Sequence, residues 1–84
     1  MRNTQVCHFQ DIADKPNLLG AIQVKVMDVY GLSSYWLEVI TKVLYEVNPQ
    51  LIYEKDTGRI SFSPYFGGKF FSALSKEINK RNAL

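Results

Sequence analysis

The segment 21–30, bounded by a glycine on each side, alternates apolar and polar side chains. Ile22, Val24 and Val26 occupy every second position, and all three are β-branched. This alternation is typical of a strand that buries one face. The pattern therefore predicts a strand over residues 21–30.

The period changes to that of a helix in the next segment. Leu37, Ile40, Leu44 and Val47 follow one another at spacings of three and four residues. These spacings place them on one side of a helix. Serines just before the segment can cap its first turn, and the Asn-Pro pair at 48–49 is expected to end it.

A β-hairpin is predicted over residues 51–63. Two short apolar runs flank a Lys-Asp-Thr-Gly sequence, whose glycine suits the left-handed position after a type I turn. Placing Lys55 opposite Arg59 sets the register of the two strands. The side chains then expected to face the core are Ile52, Ile60 and Phe62.

A second helix is predicted from about Gly68 to about Arg81. Phe70, Leu74 and Ile78 recur every fourth residue and form its inner side. The expected outward side carries Lys69, Lys76 and Lys80.

The N-terminal segment 1–20 is less regular. Residues 5–9 suit a short strand, 11–15 suit one helical turn, and a turn is expected at Pro16. The predicted order is (β)-β-α-β-β-α, an α+β two-layer sandwich with a small antiparallel or mixed sheet and two helices. Residues 1–84 are expected to form a single domain.

Cysteine content and apolar runs indicate the compartment. The chain has one cysteine, Cys7, so an internal disulfide is excluded. No apolar run approaches the length of a membrane span or of a secretory leader. We therefore expect a cytoplasmic protein with no membrane contact.

Groups that could perform chemistry are few. The triplet Asp56-Thr57-Gly58 resembles the signature of aspartic proteases, but its charged flanks favour a hairpin turn. Cys7 and His8 are adjacent, and neighbours in a strand point to opposite faces. One cysteine and one histidine do not suffice for a typical zinc site. We predict no enzyme, no catalytic residue, no metal and no cofactor.

Charge is distributed unevenly along the chain. Residues 55–84 hold six bases and two acids, a net charge of +4, whereas residues 1–54 hold four bases and six acids, a net charge of −2. A basic surface attracts phosphate backbones. The residues expected to contact an anion or a nucleic acid are Lys55, Arg59, Lys69, Lys76, Lys80 and Arg81.

Aromatic residues are numerous, with five Tyr, five Phe and one Trp. A small core cannot bury all of them, and exposed aromatic rings mark protein interfaces. The residues expected to contact a partner protein are Tyr35, Tyr45, Tyr53, Tyr65 and Phe66.

Two functional hypotheses follow from these surfaces. The first is a small non-enzymatic module that occupies the surface of a partner protein, as inhibitors, adaptors and immunity-type proteins of phages and mobile elements do. The alternative is a nucleic-acid-binding domain that uses the C-terminal helix. An uncovered sheet face would also favour a homodimer.

Overall fold

The computed structural model describes residues 4–64 and 66–82. These residues form an α+β domain, and the predicted fold class is confirmed. In chain order the elements are β1 (Thr4–His8), α1 (Phe9–Ile12), α2 (Pro16–Tyr30), α3 (Leu37–Val47), β2 (Gln50–Glu54), β3 (Arg59–Phe62) and α4 (Gly67–Asn82). A short 3-10 turn, Ser34–Trp36, leads into α3.

The sheet has the strand order β1-β2-β3, and both pairings are antiparallel. The N-terminal strand expected at 5–9 is present as β1, which pairs with the central strand β2. Alternate strand residues enter the core, because Cys7, Leu51 and Ile60 are buried together with the inner sides of the helices. The helices therefore lie on one side of the sheet.

The strand predicted over residues 21–30 is wrong, because these residues lie within α2. Leu18, Ile22 and Val26 are buried at a spacing of four residues, which is a helical period. Pro16 was expected to stop a helix, but it occupies the first turn of α2. Proline suits this position because the first N–H groups of a helix have no intrahelical partner.

The end of α2 is closed by Gly31. This residue adopts the left-handed conformation with φ 64°. The carbonyl of Met27 accepts hydrogen bonds from the N–H groups of Gly31 and Leu32, the latter at 2.9 Å. This arrangement satisfies a helix-end carbonyl, and it favours glycine because other residues are strained at positive φ.

The hairpin is confirmed, but its register differs by one residue on β2. The N–H of Gly58 donates to the carbonyl of Glu54 at 2.9 Å, so Glu54 and not Lys55 pairs with Arg59. A shift of one residue exchanges the two faces of a strand. Leu51 therefore faces the core where Ile52 was expected, and Tyr53 packs against the core beside it.

The two predicted helices are present, with α4 beginning one residue earlier than expected. Residues 39, 40, 43 and 44 form the buried side of α3, whereas Leu37 and Val47 are half-buried. Phe70 and Leu74 are buried on α4, and Ile78 packs against the edge of the core. The structure adds α2 to the two helices that were predicted, and the helical turn expected at 11–15 is present slightly earlier in the chain, as α1.

The described helices are too short or too polar to cross a bilayer.

Candidate binding surfaces

A shallow, open groove of about 670 Å³ runs along the exposed side of α3. We call it the α3 groove. Residues of the 3-10 turn and of α3 form most of its wall, and Gln23 of α2 completes it. The main lining residues are Tyr35, Leu37, Glu38, Thr41, Lys42 and Tyr45.

Both tyrosines of the α3 groove are exposed and held by a second ring. Tyr35 is 80% exposed and meets Trp36 edge-on, with ring centroids 5.1 Å apart. Tyr45 is 45% exposed and meets Phe9 edge-on at 4.9 Å. Edge-to-face contacts stabilise aromatic pairs beyond simple burial. Two of the tyrosines predicted to contact a partner therefore line one groove.

Polar groups at the base of the groove form hydrogen bonds with one another and with the backbone of α3. The Nε2 amide of Gln23 donates to the Oγ1 of Thr41 at 2.9 Å. The Thr41 hydroxyl in turn donates to the carbonyl of Leu37 at 2.9 Å. These bonds tie α2 to α3, so the groove has a fixed wall.

Lys42 links the groove to α4. Its Nζ lies 3.9 Å from Glu46 Oε1 on the same helix and 3.5 Å from Glu77 Oε1 on α4. The Glu77 side chain is 18% exposed, so this interhelical pair is partly shielded from water.

The other predicted contact residues for a protein partner lie elsewhere. Phe66 was expected on the surface, but it is 2% exposed and stacks on Phe62 with centroids 3.9 Å apart. Tyr53 is half-buried against the core. Neither is a free contact residue, and the prediction for Phe66 is wrong. Tyr65 lies outside the described residues.

The outward side of α4 forms a second surface, which we call the α4 outer face. It borders a shallow depression of about 780 Å³. Lys69, Lys76 and Lys80 are exposed and lie on the same side of the helix, as predicted. The depression is lined by small or polar residues, which include Ser72, Ser75 and Asn79, and by the ring of Phe71.

The remaining predicted anion contacts are exposed but do not join this face. Lys55 and Arg59 belong to the hairpin turn and its edge, and Lys55 lines a separate hollow with Cys7 and Lys15. Arg81 lines another hollow, beside Tyr35 and Glu38. The six predicted residues therefore do not form one basic patch.

Phe71 was missed as a candidate contact residue. It is 54% exposed and stacks on Tyr30, with centroids 5.6 Å apart and ring planes 27° from parallel. The sequence held a signal for its position. Phe71 follows Phe70 directly and lies about 100° from it around the helix, at the edge of the side formed by Phe70, Leu74 and Ile78.

The described residues offer little for catalysis or metal binding. Cys7 is buried whereas His8 is exposed, so the two do not face each other. Burial raises the pKa of the Cys7 thiol, and the nearby Asp11 raises that pKa further, which disfavours the nucleophilic thiolate. Among residues 4–64 and 66–82, no group of three or more His, Cys, Asp or Glu side chains is arranged to hold a metal.

No family model, curated protein or solved structure matches the chain.

Proposed function

We propose that this protein is a small non-enzymatic module that binds a partner protein through the α3 groove. The observation that carries the proposal is the pair of exposed tyrosines, Tyr35 and Tyr45, along one shallow groove. The module acts by occupying its partner's surface, in the manner of an inhibitor, an adaptor or an immunity-type protein.

The chemistry of the groove supports a protein partner. Tyrosine is enriched among the residues that dominate binding energy, because its ring buries a large area with few rotatable bonds. The contacts of Tyr35 with Trp36 and of Tyr45 with Phe9 hold both rings before binding. A held ring loses less conformational entropy when a partner covers it.

Polar groups at the rim favour a specific orientation of the partner. Glu38 and Lys42 lie between the tyrosines, on the same side of α3. A rim of charge around aromatic anchors is typical of protein interfaces. Rim charges contribute more to orientation and association rate than to affinity.

The test is capture of partners from the native host by the tagged protein, with quantitative mass spectrometry. The double variant Tyr35→Ala/Tyr45→Ala should lose the specific partner while its circular dichroism spectrum is unchanged. A loss of about 2 kcal/mol, roughly 30-fold in Kd, is expected for each dominant contact residue.

The matched control is Phe71→Ala, which removes an exposed aromatic ring outside the α3 groove. This variant should capture the same partner as the unaltered protein. Equal capture by the tyrosine double variant would contradict the proposal.

Two further predictions accompany the proposal. We place the protein in the cytoplasm, because a single buried thiol suits a reducing compartment.

Self-association through the uncovered sheet face stays a prediction. Val6 is exposed on that face beside the half-buried Ile52. Sedimentation equilibrium should then give a mass that rises with protein concentration.

A further inference from the structure

We propose that the α4 outer face binds single-stranded nucleic acid, which gives the module a second partner beyond the protein held in the α3 groove. Lys69, Lys76 and Lys80 would contact phosphates, and the exposed ring of Phe71 would stack on a base. The two surfaces share no lining residue.

The first support is uncompensated charge. The sequence of α4 contains one acid, Glu77, and that carboxylate lies 3.5 Å from Lys42 of α3. Within the described part of the chain, both ion pairs belong to Lys42, and none involves a lysine of α4. The lysines of the α4 outer face therefore form no ion pair within the described part of the chain, and such positive charge attracts a phosphate backbone.

The second support is the shape of the surface between the lysines. The three lysines extend over about 16 Å of the helix, from the rise of 1.5 Å per residue. Ser72, Ser75 and Asn79 line the depression beside them. These side chains are short, so a backbone can approach closely, and their hydroxyl and amide groups can donate hydrogen bonds to phosphate and sugar oxygens.

The third support is the aromatic ring of Phe71, which lines the same depression as Lys69 and Lys76. Phe71 is half-exposed, and Tyr30 supports one of its faces. Bases stack on exposed aromatic rings in proteins that bind single strands, with little dependence on base identity. Bases inside a duplex are already stacked on one another and cannot use such a ring, so the pairing of Phe71 with the lysines favours a single strand.

The experiment measures binding of the purified full chain to a fluorescent oligothymidine, an RNA of the same length and a duplex of the same length, by anisotropy over a range of salt concentrations. We expect the single strands to bind more tightly than the duplex. Each phosphate neutralised on a single strand contributes about −0.7 to the slope of log K against log salt. Three lysines should therefore give a slope of about −2.

Charge reversal tests the lysines. Lys69→Glu/Lys76→Glu should abolish measurable binding or bring the salt slope close to zero. The control Lys15→Glu/Lys55→Glu changes the net charge equally on exposed side chains away from α4. The control should keep the slope of the unaltered protein. Equal losses in both variants would show that net charge alone attracts the strand, and would overturn the proposal.

Phe71→Leu tests the stacking contact separately from charge. This variant should bind single strands at least about five-fold more weakly, the loss expected for one stacked base. Its salt slope should stay unchanged. An unchanged affinity, or equal binding of duplex and single strand, would overturn the assignment to single strands.

Two further outcomes decide the proposal. Absence of oligonucleotide binding by the unaltered protein, or equally strong binding to vesicles rich in phosphatidylserine, would overturn it. Tyr35→Ala/Tyr45→Ala should bind oligonucleotides normally, because the α3 groove is a different surface. Failure of the oligonucleotide experiment would therefore leave the proposed protein-binding function untouched.

Discussion

The helices α3 and α4 pack against each other but present different chemistry to solvent. The exposed side of α3 and the 3-10 turn before it carry two tyrosines along a groove, and the one lysine of α3, Lys42, is engaged by Glu46 and Glu77. The exposed side of α4 carries lysines that have no such partners among the described residues. The same pair of packed helices can therefore offer an aromatic surface to a protein and a basic surface to an anion.

The largest expected effect is a difference in stability between variants on the inner side and on the outer side of α4. Phe70 is fully buried and contacts both Tyr30 and Phe66, whereas Phe71 is half-exposed. Phe70→Ala should lower the free energy of unfolding by about 3–5 kcal/mol, because it opens a cavity in the core. Phe71→Ala should cost about 1 kcal/mol or less, since it removes one ring contact. Urea denaturation followed by circular dichroism measures both.

This comparison has an internal control. The m-value should be the same for the unaltered protein and for Phe71→Ala, because the surface exposed on unfolding hardly changes. Similar losses of stability in the two variants would contradict the division of α4 into a core side and a solvent side.

A smaller effect on stability is expected from the Lys42–Glu77 ion pair that links α3 and α4. A double-mutant cycle with Lys42→Met and Glu77→Gln should give a coupling energy of about 0.2–1 kcal/mol, since Lys42 is half-exposed and water screens the pair. Urea denaturation of the four proteins measures it. Lys76→Met, on the α4 outer face, is the matched control and should change stability by less than about 0.5 kcal/mol. A coupling energy of zero would show that the pair does not join the helices in solution.

The smallest effect concerns ionisation of Tyr30, the ring beneath Phe71. Burial raises the pKa of the Tyr30 phenol. The folded state therefore favours the neutral phenol. The resulting stability is present below the pKa of the unfolded chain and is lost as the pH rises through the pKa of the folded state.

Ultraviolet difference titration, with Tyr30→Phe to assign the signal, should show this raised pKa. Phe71→Ala uncovers the phenol and should shift its pKa towards the ordinary value, whereas Tyr35→Phe should leave it in place. An unchanged Tyr30 pKa in Phe71→Ala would mean that the Phe71 ring does not shield the phenol.

The elements that could be predicted from the sequence are those for which several sequence signals indicate the same secondary structure. Around α3 the apolar period and the Asn-Pro end both indicate a helix, and the helix is present. The expected serine cap is wrong, because Trp36 is the N-cap residue of α3 and neither Trp36 nor Ser33 makes a side-chain cap hydrogen bond. In α2 two periods coexist, because Ile22 and Val26 belong both to an alternating pattern and to a four-residue pattern with Leu18. The proline at the start and the glycine at the end of α2 decide for the helix, and both were visible in the sequence.

Side-chain placement was harder to predict than element type. Tyr35 and Tyr45 were correctly expected to be exposed, because they lie away from the apolar side of α3. Phe66 was misplaced because it lies in a turn, where periodicity gives no direction. The N–H of Phe66 donates to the carbonyl of Ser63 at 3.0 Å, and the turn brings the ring onto Phe62. The ring beside it in the chain, Tyr65, lies outside the described residues.

The strand order has a consequence for folding during synthesis. Strand β1 is the first described element to leave the ribosome, but it pairs with β2, which follows only after α2 and α3 have been made. The hairpin of β2 and β3 closes locally, whereas the β1–β2 contact closes a loop of dozens of residues at an entropic cost. Completion of the sheet is therefore a late event, and Cys7 remains accessible to solvent on the nascent chain until the core packs around it.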